Sequence, residues 1–77
     1  MTIQELARYY LSQGKMVRAA ALMMSLIKTE PTSENLELLA EIYMRQGLFD
    51  DAAVLYLRVV NAGLNEALDT RGNAAVS

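Results

Sequence analysis

The residues with the best claim to chemistry in this 77-residue chain are the adjacent carboxylates Asp50 and Asp51, the serines Ser12, Ser25 and Ser33, and the tyrosines Tyr9, Tyr10, Tyr43 and Tyr56. A carboxylate pair can share a proton or hold a cation only when both groups face one site. Neighbouring residues on a helix do not share a face, so Asp50 and Asp51 are better suited to complementing the dipole at a helix start. A serine nucleophile needs a base beside it. The chain has no histidine to serve as one, and without cysteine it has neither thiolate metal ligands nor disulfides. The tyrosines read as packing residues whose hydroxyls reach the rim of a core. No catalytic constellation assembles, and no cofactor or metal is expected. The chain reads as a non-enzyme.

Charge narrows the partners. Seven basic residues are scattered singly through a chain of net charge −2, with a pI near 4.9. Nucleic-acid binding needs a clustered basic face, and none is visible. The longest run rich in apolar residues and free of charge, AAALMMSLI at 19–27, is too short to span a bilayer. Lys15 and Arg18 precede it, but KTEP follows where a signal peptide would place a small-residue cleavage site. A soluble, cytoplasmic protein without membrane insertion is the expectation. At 53% hydrophobic, the chain carries more apolar residues than so small a core can bury.

Four helices must position whatever function exists. Ile3, Leu6, Ala7 and Tyr10 fall on one face of the first, which Gly14 ends. The second runs from about Met16 to Thr29, with Ala19, Met23, Leu26 and Ile27 inward, and stops before Pro31. Thr32 or Ser33 caps the third, whose inward stripe is Leu36, Leu39, Ala40 and Tyr43, and Gly47 closes it. The fourth runs from about Phe49 to Ala62, with Ala52, Leu55, Tyr56 and Val59 inward and Gly63 as its expected cap.

Shifting the chain by 33 residues lays Leu6 on Leu39, Ala7 on Ala40, Tyr10 on Tyr43, Gln13-Gly14 on Gln46-Gly47 and Ala19-Ala20 on Ala52-Ala53. That is an internal repeat of a helix–turn–helix unit. An unrelated antiparallel four-helix bundle also satisfies four amphipathic segments, but it does not require the self-match.

The repeat resembles the tetratricopeptide unit. The second copy reads Leu36-x2-Leu39-Ala40-x2-Tyr43 and Ala52-x3-Tyr56; the first reads Ile3-x2-Leu6-Ala7-x2-Tyr10, Ala19-x3-Met23 and Pro31. Tryptophan is missing, alanine replaces the usual glycine, Leu64 stands where a second proline belongs, and the repeat is one residue short. The resemblance implies an all-α fold of two antiparallel hairpins, an α-α superhelix, with a short C-terminal helical segment. One domain over 1–69 is expected: repeats at 1–31 and 33–63, a cap at 64–69, and a frayed tail at 70–77.

The resemblance also implies two surfaces. First helices line a groove in this family, which here shows Gln4, Arg8, Leu11 and Ser12, then Glu34, Glu37, Glu41, Met44 and Arg45. The glutamates contradict carboxylate gripping by lysine and asparagine, and they suit a basic or amphipathic helical segment. A solvated helix face explains them equally well. On the second helices Ala21, Met24, Ser25, Val54 and Leu57 take outward places, giving a convex apolar interface. Two repeats are fewer than a solenoid needs to stand alone, so another protein chain is expected to complete the core. The leading expectation is an adaptor or chaperone holding an aggregation-prone helical partner. Size and acidity give a looser likeness to the small chaperones of type III secretion systems. The alternative is a self-associating subunit that forms a homo-oligomer through the convex face.

Overall fold

A computed structural model of the chain describes residues 1–76, with side chains through Leu68. Four helices form: α1 (Ile3–Ser12), α2 (Met16–Leu26), α3 (Ser33–Arg45) and α4 (Phe49–Val76). They pack in chain order, α1 on α2, α2 on α3 and α3 on α4.

The starts of α1 and α3 follow from their caps. Thr2 accepts from the Glu5 amide while the Glu5 carboxylate accepts from the Thr2 amide, a reciprocal capping box. The Thr2 amide first, and then the Thr2 hydroxyl, stabilise the Glu5 carboxylate and hold its carboxyl below its ordinary pKa. Thr32 accepts from the Asn35 amide at 3.2 Å and caps α3.

Both hairpin turns are the same motif. The Lys15 amide donates back to the Tyr10 carbonyl and Gly14 to Leu11; one repeat later Leu48 donates to Tyr43 and Gly47 to Met44. This closure needs a left-handed residue, and Gly14 (φ +75°) and Gly47 (φ +77°) supply it. Asp50 and Asp51 lie exposed in the first turn of α4, as a dipole role requires.

Two helix ends differ from expectation. α2 stops at Leu26 rather than Thr29, because the chain tightens there: Lys28 donates to Ser25, and Thr29 and Glu30 both donate to Leu26. α4 does not stop at Gly63, which is no cap; the segment expected as a separate cap continues the same helix. Glu66, one turn past Gly63, reaches back to the α3 start, accepting from the Ser33 amide and hydroxyl at 3.3 Å each. A carboxylate at a helix N-terminus is favourable, and it ties the extended α4 to the fold. Of the expected tail at 70–77, the backbone through Val76 belongs to α4, and Ser77 lies outside the described residues.

The core is built from Ala7, Ala19, Ala40 and Ala52, which let helices approach, and from Met23, Leu36, Leu39 and Ile42, which fill the space and are fully buried. Each large side chain contributes about 1.5–3 kcal/mol through burial. Leu38 and Ile42 are buried although the expected stripe omitted them, because α3 is packed on both α2 and α4. Ile3 and Tyr56, expected inward, are 42% and 40% exposed.

Asn35 is the only buried polar residue among the described ones. Its amide nitrogen donates to the Glu30 carbonyl at 2.8 Å, and its oxygen accepts from Gln4. One side chain thus links α1, the inter-repeat linker and α3.

Candidate functional site

Three helices build the main concavity. α2 and α4 flank the back of α3, leaving an open groove of about 590 Å³. Leu39 and Tyr43 of α3 and Leu55 of α4 line it together with Ala21, Met24 and Ile27 from α2 and the turn after it. Lys28 and Arg58 bring positive charge to the same groove, and Ser25 adds a hydroxyl. An apolar lining with a few polar groups at its margin is what a recognition groove requires. The chemistry it offers is binding: apolar side chains can enter between α2 and α4, with acidic groups alongside them meeting Lys28 and Arg58.

The expected convex set divides between two surfaces. Ala21 and Met24 line the groove. Val54 and Leu57 do not; they stand on the outer side of α4, 60% and 67% exposed. Sequence reasoning missed Lys28 and Arg58, because a single charge on an amphipathic helix looks the same whether it borders a groove or open water.

None of the residues expected on the first-helix face lines this groove. Arg8, Glu34, Glu37, Met44 and Arg45 are exposed, and Glu41 is half-buried. Leu11 is a correction: at 9% exposure it belongs to the core and cannot be offered to a partner. Gln4 is likewise engaged with Asn35 rather than free. Glu41 pairs with Arg45 along α3 at 3.2 Å, which offsets part of the acidic strip. An exposed pair of this spacing contributes about 0.3–0.5 kcal/mol. Arg18 lies over the Tyr10 ring, 5.9 Å from its centroid, so this cation also has a local partner.

A second surface is longer. Phe49, Leu57, Val60, Leu64 and Leu68 recur along α4 at helical spacing, each at least half exposed. α4 is thus apolar on two faces, one of them turned to α3 and the other uncovered.

The family model of the tetratricopeptide repeat matches residues 6–72, spanning both hairpins. The chain belongs to the tetratricopeptide-repeat family. No curated protein and no solved structure matches it. Tetratricopeptide repeats generally mediate protein–protein interaction and are a non-catalytic module. That agrees with a chain whose concavity is apolar. Among the described residues no cluster could hold a metal ion, and no helix is long and apolar enough to cross a membrane.

Proposed function

We propose that this tetratricopeptide-repeat chain is an adaptor or chaperone that holds a helical, aggregation-prone segment of another protein. The groove between α2 and α4 is the observation that carries the reading. It is apolar along Met24, Leu39, Tyr43 and Leu55, and it is bordered by Lys28 and Arg58. An amphipathic helix whose apolar stripe is flanked by acidic residues fits that surface. Covering such a stripe is how a chaperone keeps a partner soluble. The cytoplasm is where we place this activity. Secretion-system subunits fall within this class of partner, and small size and acidity are what support that narrower reading.

The acidic strip of Glu34 and Glu37 offers the opposite preference, for a basic segment. Site-specific photocrosslinking in the native host separates the two. A crosslinker at Met24 should capture one defined partner, and the adduct should disappear when Arg58 is also changed to glutamate. Capture from position 37 but not from position 24 would move the binding site to the first helices.

A further inference from the structure

The two repeats are equivalent in sequence but not in what covers them. In the first repeat Ala20 and Met23 are 5% and 0% exposed, and Met16 and Ile27 are half-buried, on α2 and its C-cap, against which α3 packs. Thirty-three residues later their counterparts are all exposed: Ala53, Tyr56 at 40%, Phe49 at 61% and Val60 at 65%. Leu11 and Met44 show the same contrast, 9% against 43%. The outer face of α4 is therefore a helix-docking face that no helix among the described residues covers. It is a different surface from the groove between α2 and α4.

The rest of the chain says what can cover it. A second copy docking head to tail would present α1 where α3 sits in the first repeat. There Leu38 and Ile42, both buried, would be replaced by their counterparts Glu5 and Tyr9. Glu5 is charged and occupied in its capping box, so α1 is a polar end that does not continue the stack. The open α4 face has the opposite character. No charged residue stands among Phe49, Ala53, Tyr56, Val60 and Leu64, so this face can meet a copy of itself without opposing like charges. From Phe49 to Leu68 it extends about 28 Å at 1.5 Å per residue. A helix face of that length buries roughly 600 Å² per copy, the lower end of what stable, specific interfaces bury.

We infer that the chain forms a two-fold homodimer by packing α4 antiparallel against α4 of a second copy. Direction follows from charge. Parallel helices would bring two Asp50–Asp51 starts together, whereas antiparallel helices separate them and oppose their dipoles favourably. Such a contact is isologous and closes on itself, so it ends at two copies. It centres near Leu57 and Val60, with Ala53 of one copy beside Leu64 of the other.

Light scattering and sedimentation of the purified chain test the mass. A species of twice 8.5 kDa is expected in the micromolar range. Val60→Glu should lower the dimer fraction at least tenfold while leaving the helical circular dichroism intact, and Met24→Glu in the separate groove should leave the dimer in place. A monomer throughout that range, or an open ladder of oligomers sensitive to Tyr9→Glu, would overturn the inference. Direction has its own readout, since the chain lacks cysteine. Mixing Ala53→Cys with Leu64→Cys proteins should give the mixed disulfide. Disulfides formed only between two copies of the Ala53→Cys protein would overturn the antiparallel arrangement.

Discussion

Replacing Gly63 by alanine should stabilise the protein, although a glycine at that point in the sequence reads as a helix cap. Gly63 lies fourteen residues into α4 with the helix continuing on both sides, and it is not among the glycines with positive φ. A Cβ built on it meets nothing within 4 Å. No clash therefore opposes the intrinsic preference, and glycine in a helix interior costs about 0.5–1 kcal/mol relative to alanine, largely as unfolded-state entropy. For a domain of this size that corresponds to a rise in melting temperature of roughly 2–8 °C. The matched controls are Gly14→Ala and Gly47→Ala. They also meet nothing within 4 Å, but they sit at φ +75° and +77°. Only conformational strain acts there, so each should destabilise by about 1–2 kcal/mol. Thermal and urea melts followed by circular dichroism, at one fixed protein concentration, measure all three. A loss of stability in Gly63→Ala matching the two turn variants would mean that Gly63 is a left-handed terminus and that α4 ends there.

Asn35→Ala should cost about 1–3 kcal/mol in urea unfolding, because the Glu30 carbonyl and the Gln4 amide, both in part-buried bonds, lose their common buried partner. Met23→Ala, at a fully buried side chain between α2 and its neighbours, should cost about 2–5 kcal/mol in the same assay. The Thr2–Glu5 box predicts a pH dependence. The folded Glu5 pKa is lowered, so its stabilisation is present above the unfolded carboxylate pKa of about 4.3 and is lost as pH falls through the lower folded value. Glu5→Gln should therefore be less stable than wild type at neutral pH, with the difference vanishing in acid. A difference that persists unchanged in acid would point to a cause other than the carboxylate.

The hairpins were legible because their determinants are local. Gly14 and Gly47 occupy the same place in two turns, and Thr32 and Asp50–Asp51 lie beside the helix starts they serve. What was not legible depends on neighbours distant in sequence. A single inward stripe fits a helix packed on one side, whereas α3 has helices on two, so Leu38 and Ile42 go inside as well. Leu11 reads as a groove residue on one repeat alone; its burial becomes intelligible only in contrast with Met44, at an edge that no helix among the described residues covers. The course of α4 past Gly63 accompanies Glu66 reaching Ser33, a pairing 33 residues apart that no local signal announces. The convex apolar residues were recognisable as a group. Their division between a groove and an open helix face required the positions of α2 and α4.

Calorimetric titration of the partner segment captured at Met24 tests groove binding most directly. Wild-type protein, Met24→Glu and the Glu37→Lys/Glu41→Lys double variant would be titrated with the same peptide. Placing a carboxylate on the groove wall should weaken binding at least tenfold, about 1.4 kcal/mol or more, and reversing the strip on α3 should change it less than about twofold. Unchanged affinity in Met24→Glu together with a tenfold loss in the double variant would contradict the groove and give the binding site to the acidic face.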